Sequence, residues 1–457
     1  MESTSAENPE SESDIESVGI AAETIDLSNE IDHYVRTIDA IAQTLQFTLQ
    51  ASSQIIEYVS DDRKKLLEEY GTIVEEDDEG VRYSVPARHS REIDKATRAL
   101  EMFKRGSDTL PKSQLVALVS AFDSFLARLA RWYFIKVPEA LSSTQKQVGL
   151  SELLEFESLD VAKEYFLEKE VESLLRESHS KQFVWFESKL NRPLRKNLDI
   201  WSEFIEITER RNLLVHTDGT VSRQYLKVCE SVGYSVDKDI KPGVRIDVPP
   251  KYFGRARAVF FELGVKLGHT IWRVVAPEEL ERADKALNDL AFNLLVTERF
   301  KLARKILDFA VSQKKHSEDA QRRIFIVNQA QAYKWLEKEE EALKILDNED
   351  WSSCGLDFRI CVAVLREDYE KAVEFMKAIG DQGPISESAY LTWPVFRNFR
   401  ENDQFADTFK EIFGHDPIEE VEGKAADADS PADGAGEFDD DEGDGKDSGA
   451  ADESTLH

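Results

Sequence analysis

The segment Glu209–His216, with the sequence E-R-R-N-L-L-V-H, places an arginine, an amide and a histidine in one apolar helical pattern. Arg211 offers a permanent planar cation for a phosphate, and Asn212 can orient a hydroxyl or phosphate oxygen. Histidine has an unperturbed pKa close to neutrality, so His216 can exchange a proton near pH 7. Together these residue types suit chemistry on a phosphodiester.

The spacing of Arg211 and His216 carries a geometric prediction. An ideal helix turns by about 100° per residue, so two side chains five residues apart point about 140° apart. The two residues therefore do not share a helix face. We expect the helix to end near His216, because glycine is a usual helix stop and Asp218-Gly219 is a strong turn signal. We also expect a second protomer to complete the site.

The same residues have a structural interpretation. An Arg-Arg pair on a helix usually faces solvent, and a histidine near a helix C-terminus often complements the helix dipole. The residues taken alone favour this structural interpretation. A family resemblance reverses this preference in favour of a nucleolytic site.

The pattern R-N-x-x-x-H, filled by Arg211, Asn212 and His216, resembles the signature of the HEPN superfamily of helical domains. The continuation T-D-G-T-V-S-R-Q-Y-L is also similar to that of many such proteins. Upstream, Ser120–Phe134 resembles their first core helix, with Asp123 where the family often places an acidic residue. The resemblance covers roughly Leu110 to Pro277, a normal length for one domain.

The resemblance implies a metal-independent endoribonuclease that acts as a homodimer and needs no cofactor. In that chemistry a ribose 2′-hydroxyl attacks the adjacent phosphate and leaves a 2′,3′-cyclic phosphate and a free 5′-hydroxyl. His216 would exchange the proton, and Arg211 would stabilise the developing phosphorane. Asn212 would position the substrate or fix the tautomer of His216, and Asp123 would give structural support. Because DNA lacks the 2′-hydroxyl, RNA is the only expected substrate.

The net charge of −32 over 457 residues is concentrated at the two ends of the chain. Residues 416–457 hold sixteen acidic residues and two lysines, and residues 1–30 hold nine acidic residues and no Lys or Arg. The other 385 residues carry a net charge of only −9. Both ends are predicted to be disordered, since their apolar content is too low to offset the entropy of ordering. The acidic C-terminal tail either keeps the protein soluble or mimics nucleic acid and restrains the enzyme.

Positive residues cluster in sequence near the R-N-x-x-x-H pattern and could attract a polyanion locally. Acidic residues are interleaved with them, so ordinary surface pairing is the alternative. The predicted RNA contacts are Arg192, Arg195, Lys196 and Arg210.

Three cysteines, Cys229, Cys354 and Cys361, are too far apart in sequence to suggest a metal site, and we expect reduced or packing thiols. No stretch approaches 18 uninterrupted apolar residues, and the N-terminus is acidic without an apolar signal core. The sequence thus predicts a cytoplasmic protein that does not bind membranes.

Apolar periodicity predicts an all-α fold with a loop or short hairpin over 71–90 and extended structure over 232–250. Separate helices are expected over 91–105 and 113–135. We divide the chain into a disordered segment 1–27, a helical extension 28–110, a HEPN-like domain 111–277, a helical domain 278–415 and a tail 416–457.

Residues 278–415 resemble degenerate tetratricopeptide repeats, with small residues at corresponding positions of successive helix pairs. Ala303, Ala342 and Ala372 mark three units, at spacings of 39 and 30 residues rather than a steady 34. Such repeats form a concave surface suited to a protein partner, whereas a plain helical bundle is the alternative. Two functions stay open: a nuclease, of the defence or toxin type by family analogy, and a non-catalytic dimeric scaffold or nucleotide-binding protein.

Overall fold

The computed structural model describes residues 25–77, 80–142, 149–196 and 198–417. These residues form eighteen α-helices, two short 3₁₀ helices and one two-stranded sheet, which confirms the all-α prediction. The predicted disordered segments lie almost entirely outside the described residues, since residues 1–24 and 418–457 are not among them.

The chain opens with a long helical hairpin. Helix α1 spans Leu27–Tyr70 and helix α2 spans Ala87–Lys136. The antiparallel strands β1 (Thr72–Asp77) and β2 (Gly80–Ser84) join them, as the predicted short hairpin required. The prediction of separate helices over 91–105 and 113–135 is wrong, because α2 continues through Pro111. That proline is buried, and packing offsets the backbone hydrogen bond that it cannot donate.

The two halves of this hairpin differ in burial. In α1 every buried residue lies between Leu27 and Leu45. In α2 the main core contains residues from Leu115 onward and neither Ile93 nor Leu100. We call residues 46–110 the arm, since α1 and α2 pack there mainly on each other.

Helix α9 (Pro250–Val275) is the centre of the main core. Its Gly264 lies against the ring of Tyr34, where a Cβ atom would come within 2.1 Å of a ring carbon. The Tyr34 hydroxyl donates a 2.7 Å hydrogen bond to the Phe260 carbonyl. Glycine therefore allows the close approach of α1 and α9 on which this core depends.

Shorter helices complete the first part of the chain: α3 (Glu139–Ser142), α4 (Leu150–Leu153), α5 (Leu159–Leu175), α6 (His179–Leu190), α7 (Trp201–Thr217) and α8 (Arg223–Ser231). The extended structure predicted over 232–250 is limited to one isolated bridge between Thr220 and Arg245. A third small apolar cluster, which includes Leu213, Tyr225 and Ile246, holds this segment against α7 and α8.

Three helical hairpins follow. They are formed by α10 (Leu280–Val296) with α11 (Phe300–Val311), α12 (Asp319–Trp335) with α13 (Glu339–Asp347), and α14 (Leu356–Leu365) with α15 (Tyr369–Ile379). Helices α16 (Glu387–Thr392), α17 (Arg397–Arg400) and α18 (Asp403–Phe413) close the chain, and the 3₁₀ helices are Pro277–Glu279 and Pro394–Phe396.

The same turn connects the helices of each hairpin. A glutamate with positive φ occupies it each time: Glu298 at 57°, Glu337 at 59° and Glu367 at 58°. Five residues after each glutamate comes one of the buried alanines 303, 342 and 372. The predicted spacings of 39 and 30 residues thus correspond to a repeated turn geometry.

The main hydrophobic core runs from Leu27 to Ala332 and includes residues of α10, α11 and α12. A second core, from Ile326 to Phe409, unites the last helices. The first core takes residues from both sides of position 277, where the sequence suggested a boundary, although Pro277 itself is exposed.

One described helix, Ala87–Lys136, is long and apolar enough to cross a membrane by length and composition alone. Its residues from Leu115 to Phe134 pack into the main core. A core helix of a soluble protein passes the same test, so this is weak evidence for a span.

Candidate active site

Helix α7 carries the R-N-x-x-x-H pattern and ends at Thr217, which confirms the predicted helix end. Asp218 caps it with φ of 51° and Gly219 follows with φ of 80°. A Cβ atom on residue 219 would meet the Ile246 carbonyl oxygen at 2.7 Å, so this turn requires glycine. The cap leaves His216 in the last turn of the helix.

Asp123 of α2 joins two basic side chains from other helices. Its Oδ2 accepts a 3.2 Å hydrogen bond from Nη2 of Arg211 on α7. Its Oδ1 lies 2.8 Å from Nε2 of His179, the first residue of α6. The side chains of Asp123, Arg211 and His179 are 31%, 22% and 11% exposed. The structure thus brings together Asp123 and Arg211, two of the predicted site residues, and adds a histidine.

Glu209 and Asn212 lie beside this group. Burial raises the pKa of Glu209 above its usual value, and the nearby charges of His179 and Arg211 oppose that rise. Asn212 also forms a side-chain hydrogen bond with Glu209. The amide of Asn212 is therefore engaged with a carboxyl group on its own helix.

His216 lies apart from Arg211. It is exposed and makes no hydrogen bond or ion pair with any residue that the structure describes. With the helix intact from Trp201 to Thr217, its side chain points about 140° away from that of Arg211. One copy of the chain therefore does not bring the arginine and the histidine of the pattern together.

Arg210 is 8% exposed and belongs to an interior network. Its Nε donates a 2.8 Å hydrogen bond to Glu206, and its Nη1 donates one of 2.8 Å to the Asp247 carbonyl. The hydroxyls of Tyr225 and Tyr252 also donate to the fully buried Glu206, at 2.6 and 2.7 Å. Burial and the Glu206 carboxylate raise the pKa of Tyr225, so that hydroxyl keeps its proton. Arg210 thereby satisfies a buried charge and is not open to RNA.

The other predicted RNA contacts lie in the loop between α6 and α7. Arg195 is held by Glu187, which accepts a 2.7 Å hydrogen bond from its Nη2 and one of 3.0 Å from its backbone N–H. Arg192 and Lys196 are exposed. At about 1.5 Å per residue, the start of α7 is about 15 Å along the helix axis from Arg211. The loop cations and His216 consequently lie toward opposite ends of α7.

His179 and the place of Glu209 in this group were not predicted from the sequence. His179 lies 56 positions from Asp123, and Asp123 lies 88 positions from Arg211. No local spacing relates residues so far apart, since only the packing of α2, α6 and α7 brings them together. Glu209 was within the pattern, but nothing in its spacing distinguished it from a surface carboxylate.

Within the described ranges, no group of three or more His, Cys, Asp or Glu residues is arranged to hold a metal ion. The three cysteines are free, and Cys229 and Cys361 are buried. Burial raises the pKa of the Cys361 thiol to about 12, as for a packing residue.

Comparison of the chain with family models, curated proteins and solved structures gave no match. The fold defines the chain as an all-α protein with a long helical arm, a bundle and paired helices. The HEPN and tetratricopeptide resemblances rest on the residues quoted above.

Proposed function

We propose that the protein is a metal-independent endoribonuclease, in which the ribose 2′-hydroxyl attacks the adjacent phosphate and leaves a 2′,3′-cyclic phosphate. Arg211 contacts the phosphate, and His216 exchanges the proton. The observation that carries the proposal is the Arg211–Asp123 contact at a partly exposed surface. This contact holds Arg211, the permanent cation of the pattern, in one position. Stabilisation of a developing charge requires such a fixed cation.

Arg211 keeps donors for a substrate. Its contact with Asp123 through Nη2 is the only hydrogen bond that its side chain makes with a described residue. Its buried Nε has no partner among those residues. A guanidinium offers five N–H donors, so one carboxylate contact leaves others for phosphate oxygens.

A homodimer would complete the site. Val215 is 53% exposed beside the exposed His216 at the end of α7. A second copy packed on this end would bury Val215 and bring its own His216 to the first copy's Arg211. A symmetric interface of this kind makes two equivalent sites.

A non-catalytic dimeric scaffold, or a protein that binds a nucleotide through the same residues, is the second candidate. The observation that favours it is the ion pair between Arg211 and Asp123, which partly neutralises the cation. In this case the helical hairpins after residue 277 would hold a protein partner.

The deciding experiment is cleavage of bulk transcript and tRNA in EDTA by the wild type, Arg211→Ala and His216→Ala. Removal of one residue that stabilises developing charge costs about 10²- to 10³-fold in rate. Arg176→Ala, at the exposed residue that follows α5, and His33→Ala, at an exposed position on α1, are matched controls. We expect cyclic-phosphate ends from the wild type and controls, and none from a substrate with 2′-deoxyribose at the cut position.

Mixing the two inactive variants tests the shared site. If each site takes Arg211 from one protomer and His216 from the other, random mixing restores about a quarter of wild-type activity. No restoration in a proven mixed dimer would mean that one protomer supplies both residues. Absence of cleavage by every form, including the wild type, would favour the scaffold.

A further inference from the structure

The part of α2 that belongs to the arm presents a row of cations. Five exposed basic residues recur at intervals of three, four or seven, and we call them the basic stripe: Arg88, Arg91, Lys95, Arg98 and Arg105. The uncharged Met102 continues the same spacing and is 73% exposed. From the first to the last residue the stripe is about 25 Å long, at about 1.5 Å per residue.

The stripe occupies one face of α2. At about 100° per residue, its five cations fall within a sector of about 100°. Ile93 and Leu100, the buried residues of this part of α2, point about 180° away from the centre of that sector. The acidic residues Glu92, Asp94, Glu101 and Asp108 fall outside it. The stripe therefore faces away from α1 and is uniformly positive.

The cations of the stripe are not paired with carboxylates of the described residues. Arg91, Lys95, Arg98 and Arg105 make no hydrogen bond or ion pair with any described residue. Arg88 makes only a 2.9 Å hydrogen bond to its neighbour His89. The helix itself is fixed, because Ile93 and Leu100 are buried and Nε of Arg63 on α1 donates a 3.0 Å hydrogen bond to Thr97. A rigid row of unpaired cations is thus held at the surface.

We propose that the basic stripe binds the phosphate backbone of single-stranded RNA and delivers it to the bundle. The choice of RNA rests on the proposed function. Repeated cations along a straight helix match the repeated charges of an extended polyanion, and release of its counterions drives such binding. The contacts are to phosphates, so they carry no sequence preference.

An anionic membrane fits the stripe less well. A helix that lies on a membrane inserts an apolar face into the boundary between headgroups and acyl chains. The apolar face of this part of α2 is covered by α1, and Met102 is the only large apolar side chain within the stripe. The stripe has the charge but lacks the insertion surface that stable membrane binding needs.

The test measures binding of the full-length protein to a 20-nucleotide single-stranded RNA with 2′-O-methyl groups throughout. This probe cannot be cleaved by 2′-hydroxyl attack, so binding is measured whether or not the enzyme is active. The stripe variant is Arg91→Gln/Arg98→Gln/Arg105→Gln. The control is Lys64→Gln/Lys65→Gln/Lys104→Gln, which removes three exposed cations from other faces of the same arm. Circular dichroism establishes that both variants are folded.

Each phosphate contact on a single strand contributes about −0.7 to the slope of log K against log salt. Five contacts predict a slope of about −3.5 for the wild type and about −1.4 for the stripe variant. At 0.1 M salt the loss of three contacts corresponds to about 100-fold weaker binding. Equal losses in the stripe variant and the control would overturn the proposal, since only bulk charge would matter. Binding to anionic lipid vesicles but not to the RNA would overturn it too, in favour of a membrane.

Discussion

Two groups of basic residues in this molecule have opposite environments. Around α7, Arg210, Arg211 and Arg195 are each held by a carboxylate: Glu206, Asp123 and Glu187. On the arm, the stripe cations between Arg91 and Arg105 have no such partner among the described residues. The sequence pattern predicts RNA binding in the first group, close to the R-N-x-x-x-H residues, and does not reveal the second.

The difference separates two uses of positive charge. Removal of either partner of a buried ion pair destabilises the fold, because it leaves an unpaired charge in the interior. A cation on an exposed helix without a partner contributes little to stability and keeps its field for a ligand. In the proposed function, the α7 group positions one arginine for chemistry, while the arm offers charge for recruitment.

The largest expected effect comes from Glu206→Ala in the interior network. The substitution leaves Arg210 buried without its carboxylate and removes the acceptor of two tyrosine hydroxyls. Breaking a buried pair in this way costs about 3–5 kcal/mol in the free energy of unfolding. Urea denaturation measures the loss, and Glu172→Ala on the exposed face of α5 is the control. A loss below about 1 kcal/mol would show that Arg210 is not a structural residue, and would reopen its role in RNA binding.

Buried and exposed histidines should also differ in their effect on stability. His269 is fully buried, and neither ring nitrogen has a hydrogen-bond partner among the described residues. Burial and the nearby Arg273 lower its pKa to about 3, and Asp284 opposes that change. Below pH 6.5 the unfolded chain therefore binds a proton that the folded chain does not. Stability falls as the pH falls, by about 1.4 kcal/mol per pH unit for this residue.

The measurement is urea denaturation at pH 6.5 and pH 5 for the wild type and His269→Leu. We expect the wild type to lose about 2 kcal/mol more than the variant over this interval. His33→Leu, at an exposed position on α1, should follow the wild type. The same loss in His269→Leu as in the wild type would show that this histidine does not titrate between the two states.

Asp123→Asn tests what holds Arg211 in the proposed site. The substitution preserves size but removes the charge that holds Arg211 and His179. A misplacement of about 1 Å at a reacting centre can cost about 10²-fold, so we expect kcat on RNA to fall about 10- to 100-fold with a smaller change in KM. Asp32→Asn, whose carboxylate pairs with Arg36 on the surface of α1, is the matched control. An unchanged kcat would mean that Arg211 does not need Asp123 for its position.

Sequence predicted the features of the site that depend on residues close together along the chain, and missed those that depend on distant residues. The end of α7 followed from Asp218-Gly219. Asp123 and Arg211 were both predicted site residues, but their contact was not predicted. The burial of Arg210 could not be predicted, because the network around it joins distant segments: the Asp247 carbonyl accepts from Arg210, and Tyr225 and Tyr252 donate to its partner Glu206. His179 was missed for the same reason. Local patterns define helices and their ends, while three-dimensional packing decides which charges are paired.

Deletion of the acidic tail tests whether the stripe is open to RNA in the full chain. We expect this deletion to have a smaller effect than the substitutions above. Residues 418–457 hold fifteen acidic residues and two lysines. A tethered segment acts at an effective concentration on the order of 1 mM, so even a weak contact with the stripe competes with RNA. We expect deletion of 418–457 to strengthen binding of the 2′-O-methyl RNA about three- to tenfold at low salt, and to have no effect at about 1 M salt, where the Debye length is about 3 Å.

Replacement of the tail by a glycine-serine segment of equal length separates the effect of the tail's charge from the effect of its size. If acidic charge is the cause, this replacement strengthens RNA binding as much as the deletion does. The tail peptide, added at about 1 mM to the truncated chain, should then restore the weaker binding. The stripe variant should not respond to the deletion, because it lacks the cations for which tail and RNA compete. Unchanged binding and cleavage after deletion would leave solubility as the role of the tail.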